Sequence, residues 1–521
     1  MIGTSLLLRP GIFPRCGLRF SSPSIVTRCF ADASSEHFDV VVVGAGLSGV
    51  GCACRISTEC ADKSLLIIER RQTMGGTWDL FRYPGIRSDS DMTSFGFEFK
   101  PWFSDKVLAR GSDIHNYVLE TADEFDIRKK VRLGLKMTQV NWSSTDQLWH
   151  LKALHEQSGK IKEITSNFVL NCTGYYNYDQ GYRPRFKGEE VFKGDIIHPQ
   201  HWPKDFEYSG KRIVVIGSGA TAITIVPSMA DKAQHITMLQ RSPGYIISMP
   251  DVDYVAQFMA KLMGENWAYR ITRRRNIWIQ QTIYKACMRW PDFMRRLLLL
   301  HVKNQIGGKA DMKHFTPRYN PWEERLCAVP DGDFFEKIRE GKASIVTDHI
   351  DHFTETGIRL ASGKDIAADV IITATGLNMQ MMGGIELTVD NKPSPLNEKM
   401  CYKSVMVEDV PNFAWIFGYV NAPWTLKCDI ASKYVSRLIK HMDANEFVSV
   451  TPIDNANNKV NSGLLDGVNF NPSYFQRGQH MLPKQGNSGP WKLEQNYEKD
   501  KEVLLDHPLE DEYLTFSKQK K

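Results

Sequence analysis

The chain has 521 residues, 42% of them hydrophobic and 24% charged, with a formal net charge of +5. That length exceeds one ordinary core and calls for two or three domains, and so small a charge excess argues against nucleic acid as a partner. No apolar run approaches the roughly 20 residues of a membrane span, and the ten cysteines form no Cys-x-x-Cys pair or Cys/His cluster of zinc spacing, so neither a transmembrane segment nor a metal site is expected.

Residues 1–35 differ from the remainder. Arg9, Arg15, Arg19 and Arg28 carry charge, serines are frequent, and no acid precedes Asp32. This is the composition of an organelle transit peptide. The expected location is the mitochondrion, ahead of the plastid or the cytoplasm; the alternative is a disordered extension. The fold is expected to begin after it.

Phe38–Val43 is a short apolar run suited to a buried parallel strand. It leads into Gly44-Ala-Gly46-Leu-Ser48-Gly49 and then a helical stretch. Gly44 permits the tight turn, Gly46 the approach of a pyrophosphate, and Gly49 close packing of helix on strand. A second apolar run, Leu65–Ile68, ends in Glu69, placed to accept hydrogen bonds from an adenosine ribose. Strand, loop, helix and terminal acid together indicate a dinucleotide site.

Gly75-Gly76-Thr77-Trp78 and Arg82-Tyr-Pro84-Gly85-Ile-Arg87-Ser-Asp89 follow as loops. The arginines and Asp89 serve either chemistry or local ion pairing. Phe168–Cys172 and Val370–Ala374 are apolar strands, each followed by Thr-Gly. The later one implies that the chain returns to the first domain.

A second loop, Gly217-Ser-Gly219-Ala-Thr221-Ala222, follows Arg212–Ile216. Ala222 stands where the third glycine is often found. The next strand ends in Gln240-Arg241-Ser242 rather than an acid. A planar guanidinium at Arg241 suits a 2′-phosphate, so the second site reads as NADPH; the alternative is an exposed surface arginine. Two nucleotide sites in one chain imply hydride transfer between cofactors. Residues from about 250 to 310 are helical and basic. Such a segment packs its apolar face on its own domain or lies on a membrane surface, and packing is the expectation.

The expected class is α/β, with two Rossmann-like dinucleotide-binding domains, the second for NADPH. The expected division is a first dinucleotide-binding domain whose first part covers 36–180, a connector over 181–210, an NADPH-binding domain over 211–370 with a helical insertion at about 250–315, the second part of the first domain over 371–500 and a tail over 501–521.

The connector carries Phe192, Gly194, His198 and Trp202 in the pattern FxGxxxHxxxW. With two Rossmann loops around it, the chain resembles the Baeyer–Villiger monooxygenases, closest to their ethionamide-activating branch. Gly76-Thr-Trp78, Arg82–Asp91, Tyr175–Tyr178, His198–Trp202 and Asn421–Lys427 carry the match. The resemblance implies NADPH-driven insertion of one oxygen atom from O2 into a ketone, giving an ester or lactone through a C4a-peroxyflavin, with S-oxygenation of sulfides as a second activity. It implies FAD on Gly44, Gly46, Ser48, Gly49 and Glu69, with Gly76, Thr77, Trp78 and Asp89 along the flavin. It implies NADPH on Gly217, Gly219, Thr221, Ala222, Arg241 and Ser242. Arg325 falls on the family's active-site arginine, partnered by Asp89, although Glu324 stands where many members have lysine. His198 and Trp202 read as connector residues rather than a catalytic base. N-oxygenating relatives usually have Tyr or Phe at the Trp202 position. A disulfide reductase would need Cys-x4-Cys, and Cys54 and Cys60 have the wrong spacing. A non-catalytic flavoprotein scaffold is the reading from a different class.

Overall fold

The computed structural model describes residues 36–324, 326–456, 458–465 and 472–519. Two sheets dominate it. The larger has eleven strands. Its parallel part pairs Val131–Arg132, Leu65–Ile68, Glu36–Val43 and the second half of Lys160–Asn171. Val40–Val43 and all of Leu65–Ile68 are buried. A strand covered on both faces has no polar side to show, so these segments read as unbroken apolar runs. The antiparallel part is different. In Leu148–His155, Trp149, Leu151 and Ala153 are buried while His150 and Lys152 face water, the period of a sheet covered on one side.

Lys160–Asn171 joins the two parts. Residues 160–166 pair antiparallel with Leu148–His155, whereas 169–171 pair parallel with Phe413–Trp415. Glu386–Val389 extends the antiparallel end. The first sheet is therefore built from residues before 172 and after 385.

The second sheet is all parallel. Its order is Ala343–Thr347, His235–Gln240, Arg212–Ile216, Val370–Thr373, Asp195–Ile197. Ile213, Val214, Val215 and Ile216 are all buried, each worth about 1.5–3 kcal/mol. The exposed ion pair of Arg212 with Asp369 (2.6 Å) sits at the start of that strand and adds about 0–1 kcal/mol. Apolar burial, not the surface pair, holds the strand. Two boundaries differ from expectation. Val370–Thr373 belongs to the second sheet and runs past residue 370. The connector also supplies that sheet's edge strand, Asp195–Ile197, because its Ile197 is apolar and buried.

The basic segment forms three helices, Tyr254–Met263, Glu265–Arg289 and Pro291–Ile306. Its expected inward packing holds for one side only. Ala268, Tyr269, Ile277, Leu298 and Val302 are buried, but Trp267, Trp278 and Trp290 are more than half exposed. Within the expected tail, Leu514–Lys518 pairs antiparallel with Phe447–Pro452. Among the described residues, no helix is long and apolar enough to cross a membrane.

Helix Glu265–Arg289 is tied to the rest by one buried charge. Arg273 donates to the carbonyls of Thr93 (2.8 Å), Ser94 (3.0 Å) and Gly96 (2.8 Å). It lies 3.5 Å from Asp429 on helix Trp424–Ala444. Burial pushes the Asp429 carboxyl up to about 6 against the opposing pull of Arg273. The folded state thus holds this proton more tightly than the unfolded chain. The associated stability is complete below the ordinary carboxyl range and is lost as pH rises through 6. Asp429→Asn should flatten the pH dependence of the unfolding free energy across that window by about 3 kcal/mol, measured by urea unfolding at several pH values.

Candidate active site

Each glycine loop is shaped by a carbonyl from a distant strand. Gly44 has φ +103°, and a Cβ there would lie 2.7 Å from Cys172 O. Gly217 has φ +139°, and its Cβ would lie 2.3 Å from Ala374 O. The two Thr-Gly strand ends noticed in the sequence are therefore the seats of the two loops. Gly44 N donates to Ile68 O (2.8 Å) and Gly217 N to Leu239 O (2.9 Å), which repeats the arrangement in both sheets.

In the first loop, a Cβ on Gly49 would fall 1.8 Å from Gly44 O, so only glycine lets helix Leu47–Glu59 sit this close. Gly46 and Gly76 face each other; a Cβ on Gly76 (φ +57°) would lie 2.9 Å from Gly46 Cα. Glu69 is buried and accepts from Ala45 N (2.7 Å) and Arg71 N (2.8 Å). Burial raises its proton affinity while these backbone donors oppose the rise. Each carboxylate oxygen keeps a lone pair for a further donor. Ser48 Oγ accepts from Trp424 Nε1 (2.7 Å) and contacts Cys428 Sγ (3.2 Å).

The two loop helices, Leu47–Glu59 and Ala220–Met229, start alike. Gly46 and Gly219 are their N-caps; neither has a side-chain cap, and neither helix has an acid in its first turn. The first backbone N–H groups are left for an external anion, as a nucleotide phosphate requires. Gly219 opens on free space, and Ala222 is fully buried. Arg241 and Ser242 are exposed at the end of the neighbouring strand, His235–Gln240. Glu324, half-buried and raised in proton affinity by burial, lies close enough to Arg241 to be partly offset by it.

A cleft runs between the loops. Its lining includes Gly44, Gly46, Ser48, Glu69, Gly76, Thr77, Trp78, Asp89, Tyr178 and Trp424, together with Ala220 of the second loop. Gly49, Gly217, Gly219, Thr221, Ala222, Arg241 and Ser242 are not part of that wall. Asp79 was missed in the sequence. It is buried beneath the Gly-Gly-Thr-Trp turn and binds Arg71 (2.5 Å), Arg82 (2.8 Å) and Thr73 (2.5 Å), an arrangement that holds its carboxyl below the usual range despite burial. Tyr178 bonds Thr77 Oγ1 (3.1 Å). Trp424 packs beside Tyr175, ring centres 5.3 Å apart. Tyr178 and Trp424 carried the family resemblance, but their placement opposite residues about a hundred or more positions earlier has no local signal.

The Arg82–Asp89 loop reaches the second sheet. Gly85 (φ +75°) packs so closely that a Cβ would meet Ser228 Oγ at 1.8 Å. Arg87 pairs with Asp333 at 2.9 Å, while its Nε and Nη2 are buried with no partner among the described residues. Arg82 thus serves the local ion pair with Asp79, and Arg87 spans the two sheets and lines the cleft.

The connector motif is structural. Phe192 packs on Phe353 (6.3 Å). A Cβ on Gly194 would lie 2.2 Å from Asp369 O. Trp202 packs edge-on against Phe206 (6.0 Å). His198 Nδ1 accepts from Gln200 N (3.2 Å), which leaves Nε2–H to donate to Gly376 O (3.2 Å). Burial lowers its proton affinity, and a second ring proton would displace the Gln200 bond. His198 is a neutral clamp on the passage between sheets. Arg325 lies outside the described residues.

The sequence pattern of the flavin-binding monooxygenase-like family matches residues 37–382. The chain belongs to that family. MymA of Mycobacterium tuberculosis is 50% identical to it over 487 residues, covering 93% of this chain and 98% of the relative. EthA of the same organism, an FAD-containing monooxygenase, is 47% identical with the same coverage. The fold matches an oxidised steroid monooxygenase solved with NADP bound, with TM-score 0.74, 20% identity, and 93% and 100% of the two chains covered. These relatives correct one expectation. The family match begins at residue 37, and similar proteins come from Mycobacterium and Acinetobacter, bacteria without mitochondria. The mitochondrial transit peptide is therefore withdrawn, and residues 1–35 lie outside the described residues.

The glycine geometry separates two substitutions. Gly49→Ala should yield chain without bound flavin, or insoluble chain, because its Cβ would lie 1.8 Å from a backbone oxygen, Gly44 O, rather than from a flexible side chain. Gly219→Ala should fold and stay yellow. The check is flavin absorbance per chain in both purified variants.

Proposed function

We propose that this flavin monooxygenase inserts one oxygen atom from O2 into ketones, with FAD on the first loop and NADPH on the second. The observation that carries the reading is the single cleft reached both by the first loop and by Ala220 at the start of the second loop's helix. Hydride transfer requires two nucleotides to meet at one place, and a shared cleft supplies it. Bound FAD supplies the hydride acceptance and the oxygen chemistry.

The protein supplies position, charge and shelter. Gly44, Gly46, Ser48 and Gly49 form the first phosphate cradle, with the spare lone pairs of Glu69 turned to the ribose. Gly76, Thr77, Trp78 and Asp89 border the ring system. Gly217, Gly219, Thr221 and Ala222 form the second cradle, and Arg241 with Ser242 receives the 2′-phosphate. Tyr175 and Trp424 give the cleft an apolar aromatic wall that excludes water from reactive species. Arg325, which the resemblance partners with Asp89, provides a cation that does not deprotonate near neutral pH and stabilises negative charge developing on oxygen. His198 moves no proton, since both ring nitrogens are engaged. The same site oxidises sulfides as a second activity.

Two substitutions test the assignment. Arg325→Ala should leave NADPH-dependent flavin reduction near the parent rate and abolish ester formation in product analysis; esters formed at the parent rate would remove Arg325 from the mechanism. Arg241→Ala should shift the NADPH-to-NADH preference by about tenfold or more, from the loss of charge-assisted bonds of roughly 1.5–3 kcal/mol. An unchanged ratio of kcat/KM values would refute the 2′-phosphate role.

A further inference from the structure

The segment between residues 254 and 306 holds most of the exposed large apolar side chains among the described residues. Among the described residues, all exposed large apolar side chains except Phe103, Leu133, Ile161 and Val191 lie between Tyr254 and Leu300. They are large: Phe258 is 62% exposed, Trp267 63%, Trp278 66% and Phe293 65%. Their spacing forms stripes. Tyr254, Phe258 and Leu262 follow an i, i+4, i+8 line on the first helix, and Phe293, Leu297 and Leu300 an i, i+4, i+7 line on the third. On the middle helix Trp267, Ile271 and Trp278 continue such a line through Arg274.

Charge on this segment is one-sided. Residues 254–306 contain ten Lys and Arg against two acids, Glu265 and Asp292. Three of the cations are engaged inward: Arg273 by backbone carbonyls, Arg275 by Asp253 and Arg295 by Pro317 O. Arg270, Arg274, Lys285, Arg289 and Arg296 are exposed beside the apolar stripes, and Arg270 lies 5.6 Å from the Trp267 ring centre. Exposed apolar surface of this extent on a folded chain marks an interaction face. Tryptophan and basic side chains beside apolar stripes suit the boundary of an anionic bilayer, where the rings enter the headgroup zone and the cations meet lipid phosphates.

We infer that this three-helix face docks the protein onto anionic lipid surfaces as a peripheral, non-spanning contact. Docking also has a route to the cleft. The buried side of the middle helix places Ile277 against Tyr419 and Leu426, and Tyr419 lines the cleft. One helix, about 10 Å thick, separates the docking face from the cleft wall.

The test uses full-length holoprotein and vesicle co-sedimentation. Vesicles are either phosphatidylcholine alone or a mixture with phosphatidylglycerol, about one-third anionic. The parent should partition at least about tenfold more strongly to the anionic vesicles, and should be released by high salt. The double variant Trp267→Ser/Trp278→Ser should lose about tenfold or more of that partition, and so should Arg270→Glu/Arg274→Glu. Both variants should keep the parent circular dichroism and NADPH oxidation rate. Equal binding to neutral and anionic vesicles would overturn the inference, as would a parent that stays in the supernatant. If that parent is a dimer by light scattering and Trp267→Ser/Trp278→Ser is a monomer, the face is covered by a second copy of the chain instead.

Discussion

The site depends on backbone pressed against backbone at two places. Cys172 O fills the space a Cβ would need at Gly44, and Ala374 O does the same at Gly217. Each carbonyl ends a strand from which the chain leaves for the other sheet. The two departing passages are hydrogen-bonded to each other: Asn177 N to Asn378 O (2.9 Å), Gln380 N to Tyr175 O (3.0 Å) and Tyr182 N to Gly376 O (3.0 Å). His198 caps this pairing at Gly376. Loop shape, strand end and inter-sheet passage are thus one connected set of contacts. A side chain at either glycine would disturb all three.

Charge burial follows the same economy of position. Isolated buried ions are costly, and Arg273 and Lys427 are each buried beside an acid. Arg273 reaches three carbonyls and Asp429. Lys427 pairs with Asp500 at 2.9 Å, which also accepts from Tyr419 (2.7 Å). Arg87 is also paired with an acid but keeps spare donors. Its pair with Asp333 uses one nitrogen, and the two remaining donor atoms are buried beside the cleft with no partner among the described residues. Unpaired buried donors cost about 1–3 kcal/mol each, and their position suits a cleft that receives anionic cofactors.

Local pattern made much of this legible. Val40–Val43, Gly44 to Gly49, Leu65–Ile68 and Glu69 form one contiguous unit whose physics is carried by neighbours in sequence. The same holds for Arg212–Ile216 with Gly217 and Gly219. Asp79, Tyr178 and Trp424 were not legible as cleft builders, because their partners depend on how distant segments are brought together. The passage boundary near residue 370 was missed for a related reason: the same apolar run serves either sheet, and only pairing with Arg212–Ile216 decides. The basic helices showed their amphipathic pattern, but a pattern cannot say whether the apolar side meets protein or water. Composition alone suggested an organelle address for residues 1–35, and arginine and serine content by itself cannot decide that reading.

The interrupted first sheet carries a consequence for biosynthesis. Every strand of the second sheet lies between residues 195 and 373, whereas the first sheet needs segments from both ends of the chain. On a ribosome the inner unit has all its strands before the outer one does. Glu36–Val43, though made early, must wait for Phe413–Trp415 to complete its sheet, and Phe447–Pro452 must wait for Leu514–Lys518. Slow translation through residues 374–518 would prolong the life of an unfinished apolar edge, the stage at which aggregation competes with folding.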